Sequence, residues 1–327
     1  MLERKEISLA SAASHLIVIR CCERRRKIVL TGRYTIEEIS PGEYHVLSVE
    51  SETLIQQTKF SKIEVLETNS YGRGLFLDGR VQNVQGDEYV FNEAMVHPAM
   101  FFLKKKCKTA LLIGGGPGGQ CRELLKYGFI KKVYHAEIDP EMVEISRKYF
   151  SHVSRGCWDD PRCELVIRDA FAFLKETSEV FDLIICDVSE PSEGSPANSF
   201  FTEEGVRLIQ QKLNPQSGMY VTWAGPANPR CMELTSRVVR TVGQVFPVCL
   251  PYYIYTHTFG TSWISMIATS RPLNPLSESP QTIDEYLAKQ KVRDLQYYDG
   301  VTHYNMFHIP KNARKVLYPQ MNTDEHR

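Results

Sequence analysis

The chain lacks any Cys-x-x-Cys pair, although it has nine cysteines among its 327 residues. An odd number of cysteines without that spacing argues against a disulfide framework and against a Cys-x-x-Cys redox or zinc centre. No spacing of His, Cys and Asp typical of a metal site occurs either. Several cysteines lie in apolar stretches, such as Ile185-Cys186. The cysteines therefore indicate reduced, packed thiols in a cytoplasmic protein without a metal centre.

The sequence also lacks a net charge, because 39 acidic residues balance 39 basic ones. A balanced charge creates no general field that would attract nucleic acid or an anionic membrane. The basic run from Glu23 to Lys27 is short, which favours a solvated strand end over a phosphate-binding patch. The mildly apolar segment from Ser8 to Ile19 is too short to cross a bilayer. We therefore expect no nucleic acid and no membrane among the partners.

No repeats or low-complexity tracts occur, and three regions differ in periodicity. Residues 1–51 have only short strand-like runs and are expected to form an N-terminal extension. Residues 52–86 alternate apolar and polar side chains between Asn/Gly turns, which predicts a small antiparallel β domain. In residues 87–327, strands alternate with helices, which predicts an α/β fold with a mainly parallel, doubly wound sheet. The predicted strands are Ala110–Ile113, Lys132–Glu137, Cys163–Ile167, Phe181–Asp187, Gly218–Trp223, Val248–Tyr255 and Ser262–Ala268.

A glycine cluster is the most informative segment, and it directly follows the apolar run from Leu111 to Ile113. Its glycines are Gly114, Gly115, Gly116 and Gly118. A helix-like stretch from Gln120 to Lys126 comes next. A strand, a tight turn and a helix N-terminus in this order let the backbone approach a nucleotide closely. The loop therefore predicts nucleoside binding, and Pro117 inside it stands where we would expect a carboxylate.

Acidic residues stand at the ends of the next predicted strands, which is where ligands bind in a doubly wound sheet. Glu137, about twenty residues beyond the glycine loop, is placed to accept hydrogen bonds from ribose hydroxyls. Asp169 is a candidate acceptor for an exocyclic adenine amine, or a helix N-cap. Asp187 and Glu190 suit a cationic amine, because one can take a proton while the other holds charge. Four acids in this order favour a nucleoside site over capping alone.

With these motifs in place, the chain resembles the polyamine aminopropyltransferases (spermidine, spermine and thermospermine synthases) over about residues 52 to 320. The motifs are Leu77-Asp78-Gly79-Arg80-Val81-Gln82, Asp87-Glu88 with Glu93, the glycine loop, Glu137-Ile138-Asp139, Arg168-Asp169-Ala170, Asp187-Val188-Ser189-Glu190-Pro191 and Tyr297-Tyr298. His97-Pro98 and Ala224-Gly225-Pro226-Ala227 are closer to the thermospermine synthase branch. The resemblance implies a methyltransferase-like Rossmann domain, a small N-terminal antiparallel β domain, and assembly as homodimers or homotetramers.

The resemblance also implies a reaction, the transfer of an aminopropyl group from decarboxylated S-adenosylmethionine to a small-molecule amine, with release of methylthioadenosine. This donor would be a co-substrate, and no tightly bound cofactor is expected. Asp187 would be the general base on the attacking amine and Glu190 its charge partner, so positioning and deprotonation would supply most of the acceleration. The residues that would bind the nucleoside are Gln82, Gly114, Gly115, Gly116, Gly118, Glu137, Asp169 and Ala170.

The chain departs from the family pattern in the implied substrate pocket. The family loop carries Asp or Glu at the position of Pro117, and that carboxylate grips the aminopropyl ammonium. A pocket tyrosine and the glutamine beside it are Phe91 and Asn92 here, and a second tyrosine is Phe259. Glu190 is Asp in most members. Because losing one partner of a buried charge pair costs on the order of 2–5 kcal/mol, these departures predict altered specificity.

Three functions are consistent with the sequence alone. The first is aminopropyl transfer with altered specificity, which the number of retained motifs favours. The second is methylation of an amine by intact S-adenosylmethionine on the same scaffold, because a donor that keeps its carboxylate would not tolerate an acid at Pro117. The third is a non-catalytic relative that keeps the nucleoside pocket. Retention of Asp187 argues against the third.

Overall fold

The computed structural model describes residues 17–20, 27–30, 32–191 and 194–318, and only the backbone of residues 17–20 and 27–30. Most of the basic run, Glu23 to Arg26, lies outside the described residues, as do most of the apolar segment from Ser8 to Ile19 and much of the expected extension. The chain divides into two compact units. One consists of residues 1–57 and 61–86, and the other of residues 58–60 and 87–327.

The first unit contains antiparallel sheets. Strands β1 (Ile17–Arg20) and β2 (Lys27–Leu30) pair with each other. A second sheet has five strands in sequential order: β3 (Arg33–Ser40), β4 (Glu43–Gln57), β5 (Lys62–Thr68), β6 (Gly72–Leu77) and β7 (Arg80–Val84). This sheet begins at Arg33, and β4 runs without a break across the boundary expected at residue 51, because its first half pairs with β3 and its second half with β5.

The second unit is built on a seven-stranded mixed sheet. In spatial order its strands are β10 (Cys163–Ile167), β9 (Lys132–Glu137), β8 (Thr109–Gly114), β11 (Leu183–Asp187), β12 (Met219–Pro226), β14 (Trp263–Thr269) and β13 (Val248–Ile254). The first five are parallel, and β13 and β14 are antiparallel to their neighbours. The strand order reverses between β8 and β11, and ligands of doubly wound sheets bind at such a reversal.

Helices cover both faces of this sheet. They are α1 (Glu88–Leu103), α2 (Gly119–Leu125), α3 (Pro140–Tyr149), α4 (Ser151–Ser154), α5 (Ala170–Glu176), α6 (Glu203–Lys212), α7 (Met232–Val245), α8 (Pro280–Lys289), α9 (Gly300–Phe307) and α10 (Lys311–Leu317). Side chains of β8 alternate between two cores, with Ala110 and Leu112 on one face and Leu111 and Ile113 on the other. A strand buried on both faces needs a continuous apolar run, which this segment provides. The predicted α/β doubly wound fold is confirmed.

The helices also bear on the question of a membrane. Among the described residues, none of the helices combines the length and the apolar character that a bilayer crossing requires. The longest apolar helix, α1, carries the acidic side chains of Glu88 and Glu93, and Pro98 lies within it without ending it.

Candidate active site

The glycine turn joins β8 to α2 at the reversal of strand order. Gly114 is paired in register with Asp187 of β11 and has a φ of 72°, which favours glycine. A Cβ atom on Gly114 would lie 2.3 Å from the backbone oxygen of Asp187. The same oxygen accepts a hydrogen bond from the backbone N–H of Gly115 at 2.9 Å. The turn and the end of β11 therefore form one rigid unit.

A buried histidine supports the glycine turn from the neighbouring strand β9. The indole Nε1–H of Trp158 donates to Nδ1 of His135 at 2.9 Å, so the ring proton of His135 is on Nε2. His135 Nε2 donates in turn to the backbone oxygen of Gly114 at 2.7 Å. Burial lowers the pKa of His135 to about 4, so this ring is neutral at pH 7. Trp158 also lies against Gly118, where a Cβ would come within 2.9 Å of the indole.

Glu137 lies at the carboxyl end of β9, next to the glycine turn in the sheet. It is buried, and its Oε1 accepts a hydrogen bond from the backbone N–H of Asp139 at 3.0 Å. Burial raises the pKa of Glu137 to about 7. Asp139 is separately engaged as the N-cap of α3. Glu137 is thus a carboxyl group held in place beside the turn, able to accept hydrogen bonds from hydroxyl groups.

Asp169 lies one strand further out and is exposed. Its Oδ1 accepts from the backbone N–H of Phe171 at 2.8 Å, so it does cap α5. Capping occupies one carboxylate oxygen and leaves the side chain at the ligand-binding edge of the sheet. Ala170, the first residue of α5, is buried in the core. Asp169 is therefore the helix N-cap that the sequence allowed. It still lies at this edge of the sheet.

Asp187 ends β11 and is half-buried. Its Oδ2 accepts a hydrogen bond from Nε2 of Gln120 at 2.5 Å. Burial raises the pKa of Asp187 to about 6, against the opposing effect of the Gln120 hydrogen bond. The loop that follows carries the half-buried Glu190, and it is held by Trp223, whose Nε1–H donates to the backbone oxygen of Val188 at 2.8 Å. A base with a pKa near 6 is ionised at neutral pH yet can still accept a proton.

Four aromatic rings form a continuous row in the same unit, three of them partly exposed and the fourth, Trp223, buried, and two of the four are predicted pocket residues. Phe91 and Phe259 meet edge to face, with ring centroids 5.7 Å apart. Phe259 contacts Trp263 at 5.4 Å, and Trp263 contacts Trp223 at 6.0 Å. Since Trp223 also holds the loop after Asp187, the row extends from that loop to Phe91 on α1. The structure thus brings together Phe91 and Phe259, which are far apart in sequence.

Three other predicted site residues are placed differently. Asn92 is buried, donates to Glu88 Oε2 at 2.7 Å, and packs so closely on Gly119 that a Cβ there would lie 2.2 Å from its amide nitrogen. Pro117 is buried within the glycine turn. Gln82 belongs to β7 of the first unit, where its Nε2 donates to the backbone oxygen of Arg80 at 3.4 Å.

The sequence motifs did not reveal what the acids of α1 do. Asp87 accepts hydrogen bonds from the N–H and the hydroxyl of Thr258, and so holds the loop that carries Phe259. Glu88 forms a two-pronged ion pair with Arg122 of α2, at 2.8 and 3.1 Å. Glu93 accepts from three consecutive backbone N–H groups, those of residues 296–298. Acidic residues in an otherwise apolar helix were the only sequence signal of these roles.

Comparison with known proteins decides the family. Residues 88–278 match the spermine/spermidine synthase domain, and residues 34–84 match the spermidine synthase tetramerisation domain. The chain belongs to the spermine/spermidine synthase family. The predicted family is thereby confirmed, and the second match extends the β domain back to residue 34 and indicates an oligomer.

Relatives and solved structures agree with this assignment. The chain is 34% identical to a polyamine aminopropyltransferase of Synechococcus sp. (strain JA-2-3B'a(2-13)), over 86% of this chain and 91% of the relative. It is 31% identical to that of Saccharolobus solfataricus, over 86% and 92%. The spermidine synthase of Thermotoga maritima superposes with a TM-score of 0.78 at 25% identity, covering 87% of this chain and 94% of that one.

A crystal structure of a spermidine synthase with the transition-state analogue AdoDATO superposes equally well, with a TM-score of 0.78 at 25% identity over 87% and 94% of the two chains. The chain is accordingly an aminopropyltransferase. It transfers the aminopropyl group of decarboxylated S-adenosylmethionine, as the sequence predicted. Among the three functions consistent with the sequence, the comparisons support this one.

Proposed function

We propose that Asp187 is the general base of this aminopropyl transfer and that Glu190 is its charge partner. The amine nitrogen attacks the carbon next to the sulfonium, the new carbon–nitrogen bond forms, and the carbon–sulfur bond breaks with its electron pair going to sulfur. The proton lost by the amine passes to Asp187. The observation that carries this proposal is a carboxylate with a pKa of about 6, fixed at the reversal of strand order.

We further propose that the nucleoside of the donor binds along the same edge of the sheet. The glycine turn offers close approach to the backbone, and Glu137 offers acceptors to the ribose hydroxyls. Asp169 and the backbone N–H of Ala170 lie on the adenine side. In this proposal the donor lies between β9 and β11, with its sulfonium carbon facing Asp187.

The acceptor end of the pocket is proposed to be lined by Phe91, Phe259 and Trp263. These rings bind the alkyl segments of an amine and attract its ammonium groups through their π faces. Pro117 supports the pocket from the glycine turn, and Asn92, on α1, packs against Gly119; neither contributes charge. An acceptor that presents an alkyl chain between its amines fits this lining best, so we propose a di- or polyamine.

The donor is tested by the product that forms. Purified protein incubated with decarboxylated S-adenosylmethionine and a panel of di- and polyamines is expected to release methylthioadenosine, detected by liquid chromatography. Intact S-adenosylmethionine is the control donor, and it is expected to give no S-adenosylhomocysteine. Formation of S-adenosylhomocysteine alone would show an amine methyltransferase. If neither donor bound by calorimetry, both enzymatic functions would be ruled out.

We propose a homotetramer assembled through the β domain, because residues 34–84 match a tetramerisation domain. Sedimentation velocity of the full chain at micromolar concentration is expected to give a species of about 150 kDa, four times the chain mass of 37.5 kDa. A species of half that mass, unchanged on raising the concentration, would contradict the tetramer and show a dimer.

We propose that the protein works in the cytoplasm. Four of the cysteines in the part of the chain that the structure describes, Cys107, Cys121, Cys157 and Cys186, are buried thiols. Reduced thiols persist in a reducing compartment. Recovery of a tagged chain from a secreted or membrane fraction would contradict this location.

A further inference from the structure

Gln120, the second residue of α2, occupies an unusual position for a polar side chain. It is fully buried, with 0% of its surface exposed. Its Nε2 lies 2.5 Å from Oδ2 of Asp187, 67 residues further along the chain. The amide nitrogen faces Asp187, because an ionised carboxylate would repel the amide oxygen. One oxygen of Asp187 is therefore occupied by protein, which leaves Oδ1 for a substrate amine.

The other end of the same amide has no partner. Among the described residues, Oε1 of Gln120 is a buried oxygen without a hydrogen bond. It lies against the glycine turn, 3.2 Å from where a Cβ on Gly115 would be. Buried side-chain oxygens nearly always have a hydrogen-bond partner, so an unpaired one beside a reacting group calls for a specific explanation.

We propose that Gln120 is a positioning residue that serves both protonation states of Asp187. With Asp187 ionised, the amide N–H donates to the carboxylate, as in this structure. When Oδ1 of Asp187 has taken the proton of the amine, the carboxyl group turns about its Cβ–Cγ bond and brings the new O–H towards Gln120. The amide then turns by half a rotation about its last bond, and Oε1 accepts from that O–H. The proton itself stays on Asp187, and no covalent bond to Gln120 forms or breaks. This inference rests on the proposed role of Asp187 as the base.

The geometry favours such a rotation. The two ends of an amide are nearly equal in size, and the terminal torsion of glutamine has a broad, roughly two-fold profile. The oxygen would then exchange an unpaired site for a hydrogen bond to Asp187. A fixed donor such as a backbone N–H would favour only the ionised base. An amide can bind both states, and it binds the ionised one more strongly because that hydrogen bond is charge-assisted.

Among the residues that the structure describes, few titratable groups surround Asp187. From β8 and the glycine turn its neighbours are Gly114 and Gly115, and from α2 the neighbour is Gln120. On its own strand, Cys186 has a pKa raised by burial to about 12 and stays neutral. Glu190 follows in the same loop and is the carboxylate whose charge adds to that of Asp187. The Gln120 hydrogen bond is thus the principal polar contact that lowers the pKa of the base.

The test is the pH profile of kcat/KM for the amine between pH 4.5 and 8.5. Gln120→Met keeps the volume and removes the amide, so the acidic limb is expected to move up by about one pH unit, the worth of one charge-assisted hydrogen bond. The maximal kcat is expected to fall roughly tenfold, with the KM of the donor within a few-fold. Gln120→Glu brings a second carboxyl group to Asp187 and is expected to shift the limb further up.

The matched control is Gln210→Met on α6, a partly buried glutamine whose amide donates to the backbone oxygen of Val245 instead. It is expected to leave the acidic limb in place. If Gln120→Met does not fold, Gln120→Asn withdraws the amide by one methylene and is expected to give the same upward shift.

The outcomes separate this inference from the proposed function. An acidic limb that does not move in the Gln120 variants, while Asp187→Asn is inactive, would overturn the role of Gln120 and leave the base assignment intact. Full activity of Asp187→Asn would overturn both. A loss of activity in Gln120→Met without any shift of the limb would show that Gln120 only packs the turn.

Discussion

Replacing Asp187 by Asn is expected to lower kcat by roughly 10²–10⁴-fold, the usual contribution of a general base. The substitution keeps the shape of the side chain and the pairing of β11 with β8, so the loss comes from proton transfer. In the wild type, the acidic limb of the pH profile is expected near pH 6, where the pKa of Asp187 lies. Below that pH the carboxyl group is protonated and no longer accepts the amine proton, so activity falls as pH decreases.

The measurement is steady-state release of methylthioadenosine, together with calorimetric binding of the same product. Affinity for the nucleoside is expected to stay within a few-fold, because Glu137 and the glycine turn are unchanged. Asp182→Asn is the matched control, since Asp182 precedes the same strand at its other end and accepts from backbone N–H groups of Lys108 and Thr109. A large loss of nucleoside affinity in Asp187→Asn would contradict its assignment as the base.

Replacing Arg122 by Met is expected to lower the free energy of unfolding by about 3–5 kcal/mol, as when one partner of a buried ion pair is removed. The guanidinium is 7% exposed and lies between two carboxylates, Glu88 and Glu123. Glu123 is further held by His97 Nε2 at 2.9 Å and by Lys126. Without Arg122, Glu88 would be left buried, with Asn92 as its one remaining donor among the described residues. Urea unfolding followed by circular dichroism measures the change.

Arg207→Met is the matched control, because Arg207 pairs with Glu203 on the exposed surface of α6. Its loss is expected to cost less than about 1 kcal/mol. Equal effects of the two substitutions would contradict a special contribution of the buried cluster.

Burial alone would raise the pKa of Glu123, yet its partners outweigh that and hold the pKa at about 2. This part of the stability is therefore complete above pH 4.5, the ordinary value, and declines as pH falls towards 2.

Short-range patterns in the sequence account for much of the second unit. The apolar runs that end in Gly114, Glu137 and Asp187 predicted the strands β8, β9 and β11 with ends correct to within two residues. Such runs are informative because both faces of the sheet are buried, so each strand has few polar positions. The sequence also predicted which acids stand at the carboxyl ends. It placed the boundary of the β domain too late, because the pairing of β3 with β4 leaves only a weak alternation.

Contacts between distant segments could not be predicted in the same way. Gln120 reads as an ordinary polar residue near a helix N-terminus, and its contact with Asp187 depends on how α2 packs beside β11. The position of His135 in the middle of a strand does not indicate that its two ring nitrogens form hydrogen bonds with Trp158 and Gly114. Phe91 and Phe259 were assigned to one pocket only through the resemblance, since nothing local joins residues 168 positions apart.

The carboxylate of Glu93 sets a lower limit on the length of chain that can fold to this structure. Its only described donors are the amides of residues 296–298, and it is 1% exposed. A chain cut before Gln296 would retain every strand of the sheet, but the Glu93 carboxylate on α1 would lose all three of these donors. The segment after the last strand is therefore needed for a stable catalytic unit. Trimming from the carboxyl terminus can proceed only as far as this anchor before the interior of the catalytic unit is destabilised.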